Sequence, residues 1–176
     1  MAAYQLTEVE LRELIYKLGL PKIVTDIYDE NVSDDVFEEA LGYNYSKPLS
    51  ILDLSAEEQK TYRVDRFKPI LELRSSDIIA YDTERKGFIG YGLEEEIEDP
   101  IVLNWDGVFL EEVVFWYELE FDEDSIMHLA ELLHLKYAEE IIESLDEAGD
   151  NDELSTFEDQ DVWMANMINK LNMRVQ

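Results

Sequence analysis

"ILELRSSDIIAYDTERKGFIGYGL", residues 70–93, decides the fold class. Its three apolar runs, Ile70–Leu73, Ile78–Asp82 and Phe88–Leu93, are too short for helices and are separated by polar breaks, which predicts neighbouring β-strands. Thr83–Gly87 supplies a turn, with Gly87 where a positive φ is expected. Further on, Ile101–Trp105 and the run from Val108 read as a second hairpin across Asp106-Gly107. These short runs and tight turns predict a largely antiparallel sheet.

Upstream, the pattern is helical. Thr7 and Glu10 form a capping box with Leu6 just outside it; Leu11, Leu14, Ile15 and Leu18 follow at helical spacing, and Gly19 ends the run. A second helix begins at Ser33, buries Val36, Phe37, Ala40 and Leu41, and stops at Gly42. Tyr43–Leu54, with Pro48 inside it, reads as irregular, and Ser55–Gln59 as one helical turn.

Downstream, residues 113–121 (VVFWYELEF) fit a strand because β-branched and aromatic residues dominate. That strand turns Glu112, Val114, Trp116, Glu118 and Glu120 to one side. The alternative is a helix with Glu111, Glu112 and Glu118 on one face and Glu120 off it. Asp124 or Ser125 then caps a long helix through Ile126, Leu129, Leu133, Ile141 and Leu145. The expected class is therefore α+β: N-terminal helices, a central mostly antiparallel sheet, a long C-terminal helix and a final amphipathic helix. The expected organisation is one domain over 1–147, an acidic linker over 148–161, and a helix over 162–176 whose Trp163, Met167, Ile168 and Leu171 either dock on the core, the more common fate, or serve a partner.

Charge is the most unusual property of the chain. Its 176 residues hold 43 Asp and Glu against 14 Lys and Arg, a formal net charge of −29, far beyond the ~2–8 units that solubility asks of a small domain. The charge is also polarised. Residues 87–169 carry 25 acids and one base, Lys136, whereas the remainder carries 18 acids and 13 bases. Such asymmetry points to an acidic face rather than to general solubility. Glu94, Glu95, Glu96, Glu98 and Asp99 lie on the connection leaving the Phe88 strand, and the strand reading of 112–121 adds Glu112, Glu118 and Glu120 around Trp116. An aromatic anchor rimmed by carboxylates suits a basic protein partner.

Other chemistries find little support. With no cysteine, disulfides, thiolate catalysis and Cys-ligated zinc are excluded. His128, Glu131 and His134 have helical spacing, but a di-iron carboxylate site needs two Glu-x-x-His motifs and the chain has only two histidines. Asp150-Asn-Asp-Glu fails as a calcium loop because Leu154 takes the third ligand position. Gly87, Gly90 and Gly92 do not make a dinucleotide-binding motif, and no phosphate loop or nucleophile elbow is present. No cofactor and no catalytic residues are expected. Direct nucleic-acid binding is disfavoured because phosphate contacts need cations. The N-terminus lacks the features of a signal peptide, no apolar run is long enough to cross a bilayer, and an anionic membrane would repel the chain, so a cytoplasmic location is expected.

Leu20-Pro21, Ile27-Tyr28 and Asn31, followed by Ile78–Asp82 and Gly87–Tyr91 as a central hairpin, resemble the SUKH superfamily of cell-wall-assembly-regulator-like domains over roughly residues 7–135. The resemblance implies an α+β domain without catalysis and, in bacteria, an immunity protein that neutralises a toxin, often a nuclease. Two rivals remain: a DNA mimic of phage or plasmid origin that inhibits a DNA-binding protein, and a metal-dependent enzyme.

Overall fold

A computed structural model describes residues 3–176. The class is α+β. The chain divides into two compact units, one running to Val102 and including Gln176, the other Leu103–Val175. The division falls between Val102 and Leu103.

In the first unit, helices α1 (Glu8–Leu18), α2 (Lys22–Tyr28) and α3 (Asp35–Leu41) precede the two-residue strand β1 (Tyr45–Ser46) and the short helices α4 (Leu49–Leu52) and α5 (Ala56–Gln59). The Thr7–Glu10 capping box is present, and Gly19 closes α1 with a left-handed φ of 64°. Asp34, one residue after the expected start, caps α3 by accepting from Phe37 N–H at 2.9 Å. The stretch read as irregular contains β1 and α4.

Strands β2 (Phe67–Leu73), β3 (Asp77–Asp82) and β4 (Gly87–Gly92) follow, and the sheet is antiparallel throughout in the order β1-β2-β3-β4. Helices α1 and α4 lie against β2, and α2 lies against β1. The buried Tyr28 O–H donates to Ile70 O at 2.6 Å, tying α2 to β2. Buried Gln59 joins the N-terminus to the helices by accepting from Leu6 N–H at 2.8 Å and donating to Ile51 O at 3.0 Å.

The β3–β4 turn is organised by Asp82. Its side chain, fully buried, takes a bidentate pair of hydrogen bonds from Arg66 at 3.0 and 2.8 Å and accepts from the N–H groups of Glu84 and Arg85 at 2.9 and 3.2 Å. The left-handed residue of the turn is Lys86, at φ 58°, and not the expected Gly87, which begins β4.

The second unit is built from helices α6 (Trp105–Val108), α7 (Leu110–Glu118), α8 (Glu123–Leu132), α9 (Ala138–Asp150) and α10 (Phe157–Lys170). Asp106-Gly107 is not a hairpin turn but part of α6, capped by Asn104, whose side chain accepts from Gly107 N–H at 2.8 Å. A Cβ on Gly107 would come within 2.9 Å of Leu103 Cβ and 3.0 Å of Met173 Cβ, so the glycine serves close packing rather than a positive φ.

Residues 113–121 are not a strand. Within this unit the described β pairing is the single Leu103–Arg174 bridge, so a strand would have no ladder to join. Instead Leu110, Val113 and Val114 bury one helical face, and tertiary packing overrides β propensity.

The long helix expected through Leu145 breaks into α8 and α9 at His134, whose φ is 55°. Helix α6 holds the break: Trp105 Nε1–H donates to Leu133 O at 2.7 Å, and Asp106 accepts from Lys136 N–H at 2.5 Å. Asp122 caps α8 in place of Asp124 or Ser125, accepting from Ser125 N–H at 2.7 Å. Helix α10 starts inside the stretch read as a linker and buries Trp163 and Met167; Trp163 Nε1–H donates to Ser144 Oγ of α9 at 3.0 Å.

The Asp82 cluster carries a pH dependence. Burial disfavours the charged form, but the hydrogen bonds from Arg66 and the turn N–H groups outweigh it and hold the carboxyl below its ordinary value. A depressed folded pKa contributes stability that is complete above the unfolded value near ~4 and is lost as pH falls through the folded one. Asp82→Asn should cost about 3 kcal/mol at neutral pH by removing the buried charge that takes the bidentate hydrogen bonds of Arg66, whose remaining ion pair, to Glu84 at 3.0 Å, lies at the surface. In urea unfolding at a series of pH values, the gap between wild type and variant should narrow only below the ordinary carboxylate range. A gap constant down to the acid limit would contradict this role.

Candidate acidic interface

The five acids of 94–99 are all exposed and lie together on the connection leaving β4. The connection is tethered through its main chain. Tyr62 O–H donates to Leu93 O at 3.0 Å, Arg63 Nη1 to Ile97 O and Glu98 O at 3.2 and 3.4 Å, and Arg85 Nη1 to Pro100 O at 3.3 Å. Arg63 adopts a left-handed conformation with φ 49°, and its guanidinium lies 4.8 Å from the Phe67 ring centroid; that of Arg66 lies at the same distance.

Arg63 and Arg85 bond the connection's carbonyl oxygens and not its carboxylates. Among the described residues none of Glu94, Glu95, Glu96, Glu98 and Asp99 forms an ion pair. Glu95 folds back on the strand: its Oε2 accepts from Gly92 N–H at 3.2 Å while its own N–H donates to Gly92 O at 3.1 Å. The result is a tethered segment whose negative charge faces solvent.

The remaining expected interface residues belong to the second unit, and helix formation separates them. Trp116 is fully buried on α7, and Glu112 is 3% exposed, so neither is presented to a partner. Glu118 and Glu120 are exposed at the end of α7, where Glu120 takes a left-handed φ of 60°. Gln160 Nε2–H donates to Glu118 Oε1 at 2.9 Å. Both glutamates rim a cleft of about 420 Å³ floored by Val114, Leu145 and Leu154.

This unit is also strongly acidic. It holds 20 acids against three bases, and 17 of those acids are exposed. Among the described residues no group of three or more His, Cys, Asp or Glu is arranged to hold a metal ion, and no helix is long and apolar enough to cross a membrane.

Sequence reasoning did not single out Tyr62, Arg63 and Arg85 as the loop's tethers. The available signal was the clustering of eight of the 14 bases between Lys47 and Lys86, directly before the acidic run. Compared with known proteins, the chain matches no family model, no curated protein and no solved structure.

Arg63 carries two of the tethers. Arg63→Ala should therefore speed hydrogen exchange of the amides over 94–99 by about tenfold or more, the consequence of losing hydrogen bonds worth roughly 1 kcal/mol each, while the β2–β3 ladder keeps its protection. Unchanged exchange in the loop would show that Arg63 does not hold it.

Proposed function

We propose that the protein is a non-enzymatic binding protein that captures a basic protein partner on the acidic loop 94–99, acting in the cytoplasm as an immunity protein that neutralises a toxin such as a nuclease. One observation carries this reading. The nearby cations bond the loop's main-chain carbonyls, so the loop is fixed in place without its carboxylates being neutralised. Within one compact unit, that arrangement spends scarce positive charge on presenting negative charge.

The physical rationale is electrostatic complementarity. A basic partner is drawn along the field of the acidic surface, which raises the association rate and disfavours acidic competitors. For a nuclease, such a surface can occupy the place of substrate phosphates. The resemblance of Leu20-Pro21, Ile27-Tyr28, Asn31 and the β3–β4 hairpin to the SUKH superfamily supports the immunity role, and the α+β class accords with it.

Affinity capture from lysate of the native host at low salt, with stepwise salt elution and mass spectrometry, tests the reading. The expected result is one basic protein, released at a defined salt step and not retained by a variant with Glu94, Glu95, Glu96 and Glu98 replaced by Lys. Equal retention by that variant, or a captured partner that is not basic, would overturn it.

A further inference from the structure

β4 is an edge strand: the sheet order ends with it, and among the described residues only β3 pairs with it. The phase of that pairing is fixed where Leu93 N–H donates to Ser76 O at 2.8 Å. In an antiparallel ladder, hydrogen-bonded pairs alternate, so Tyr91 and Ile89 exchange their bonds with Ile78 and Ala80. Gly92 and Gly90 turn their N–H and C=O groups to the open side. At Gly92 that side is closed by Glu95, which supplies both an acceptor and a donor. Among the described residues no such closure is made at Gly90, which is exposed between the buried Ile89 and Tyr91.

Nothing internal requires glycine at position 90. Its φ is not in the left-handed region, and a Cβ there would meet nothing closer than Ile78 O at 4.0 Å. Glycine weakens a strand interior and marks places where another backbone approaches closely. An exposed edge is a template for a further strand unless it is blunted. Here the blunting residue is Glu95, through its carboxylate and its main-chain N–H, and it covers the rung at Gly92.

We propose that the open edge of β4 at Gly90 is a docking site for an extended, lysine- or arginine-rich segment of the partner, which adds as a fifth strand. Main-chain hydrogen bonds to Gly90 provide affinity, as in other strand-addition complexes. A long side chain opposite Gly90 covers its bare backbone, and the basic side chains meet the carboxylates of Glu94, Glu95, Glu96, Glu98 and Asp99 at the end of the strand. Charge selects this occupant over a second copy, because two chains of −29 repel one another. The inference rests on the reading of the acidic loop given above and adds the mode of engagement.

The test uses the full chain and a short alternating lysine–valine peptide, compared with the same peptide carrying an N-methyl group on every main-chain nitrogen. The methylated peptide keeps its charge and cannot form a ladder. In an NMR titration at low ionic strength, the unmethylated peptide should shift the Gly90 amide, slow its hydrogen exchange, and bind about tenfold more tightly than the methylated one, the effect of one to two main-chain hydrogen bonds. Equal binding of both peptides with the Gly90 amide unmoved would overturn strand addition and leave the acidic loop as the attraction. No binding of either peptide would overturn both. Protection of Gly90 in a peptide-free dimer would assign the edge to a second copy and overturn the proposed occupant.

Discussion

The clamp between Arg66 and Asp82 is the interaction on which the first unit's arrangement turns. A buried carboxylate is costly unless paired and fully hydrogen-bonded, and Asp82 meets both conditions with a bidentate guanidinium and two turn N–H groups. The same contacts end β3, shape the turn and start β4 at Gly87. Because Arg66 and Arg63 both lie on the Phe67 ring, the clamp is joined to the tether that receives the chain beyond β4. The position of the acidic loop thus follows from a small set of cation contacts in one short part of the sequence.

Scarcity of positive charge sets the second constraint. With 14 bases against 43 acids, most carboxylates cannot be paired, and their mutual repulsion opposes compaction. The first unit uses its cations as internal ties: Arg12 to Glu8 and Asp29, Lys47 to Glu8, Arg66 to Asp82 and Glu84. The second unit, with three bases, relies on buried apolar side chains such as Trp116, Leu129, Leu133 and Leu145 and on side-chain caps. Salt acts on the two consequences in opposite directions, screening the self-repulsion that destabilises the fold and the attraction that would draw a basic partner.

Where the sequence carried local physical signals, it was legible. The Thr7–Glu10 capping box and the β2–β4 runs appear within a few residues of where their patterns place them, and the final helix is present but begins earlier, at Phe157. The misreadings share a cause. Glycine is the usual sequence mark of a helix end, yet α7 and α8 close through Glu120 and His134 in the left-handed region, with Phe121 N–H donating to Trp116 O and Leu135 N–H to Ala130 O. A helix that ends at a glutamate or a histidine leaves little trace in composition. Residues 113–121 looked like a strand because propensity is local, whereas the absence of a strand partner is a property of the folded unit. Trp116 failed as an interface anchor for the same reason. The acidic loop was legible as charge; its tethers, set by the left-handed Arg63 and by contacts across 31 to 35 positions, were not.

The proposed capture depends on the unpaired carboxylates of the loop drawing in a basic partner. Its most direct test is the association rate constant of the captured partner, measured over a series of salt concentrations for wild type and for a variant with Glu94, Glu95, Glu96 and Glu98 replaced by Gln. The on-rate should fall steeply with salt in the wild type, the variant should show a lower on-rate with a shallower salt slope, and the off-rate should change much less. Identical on-rates and identical salt slopes would contradict it.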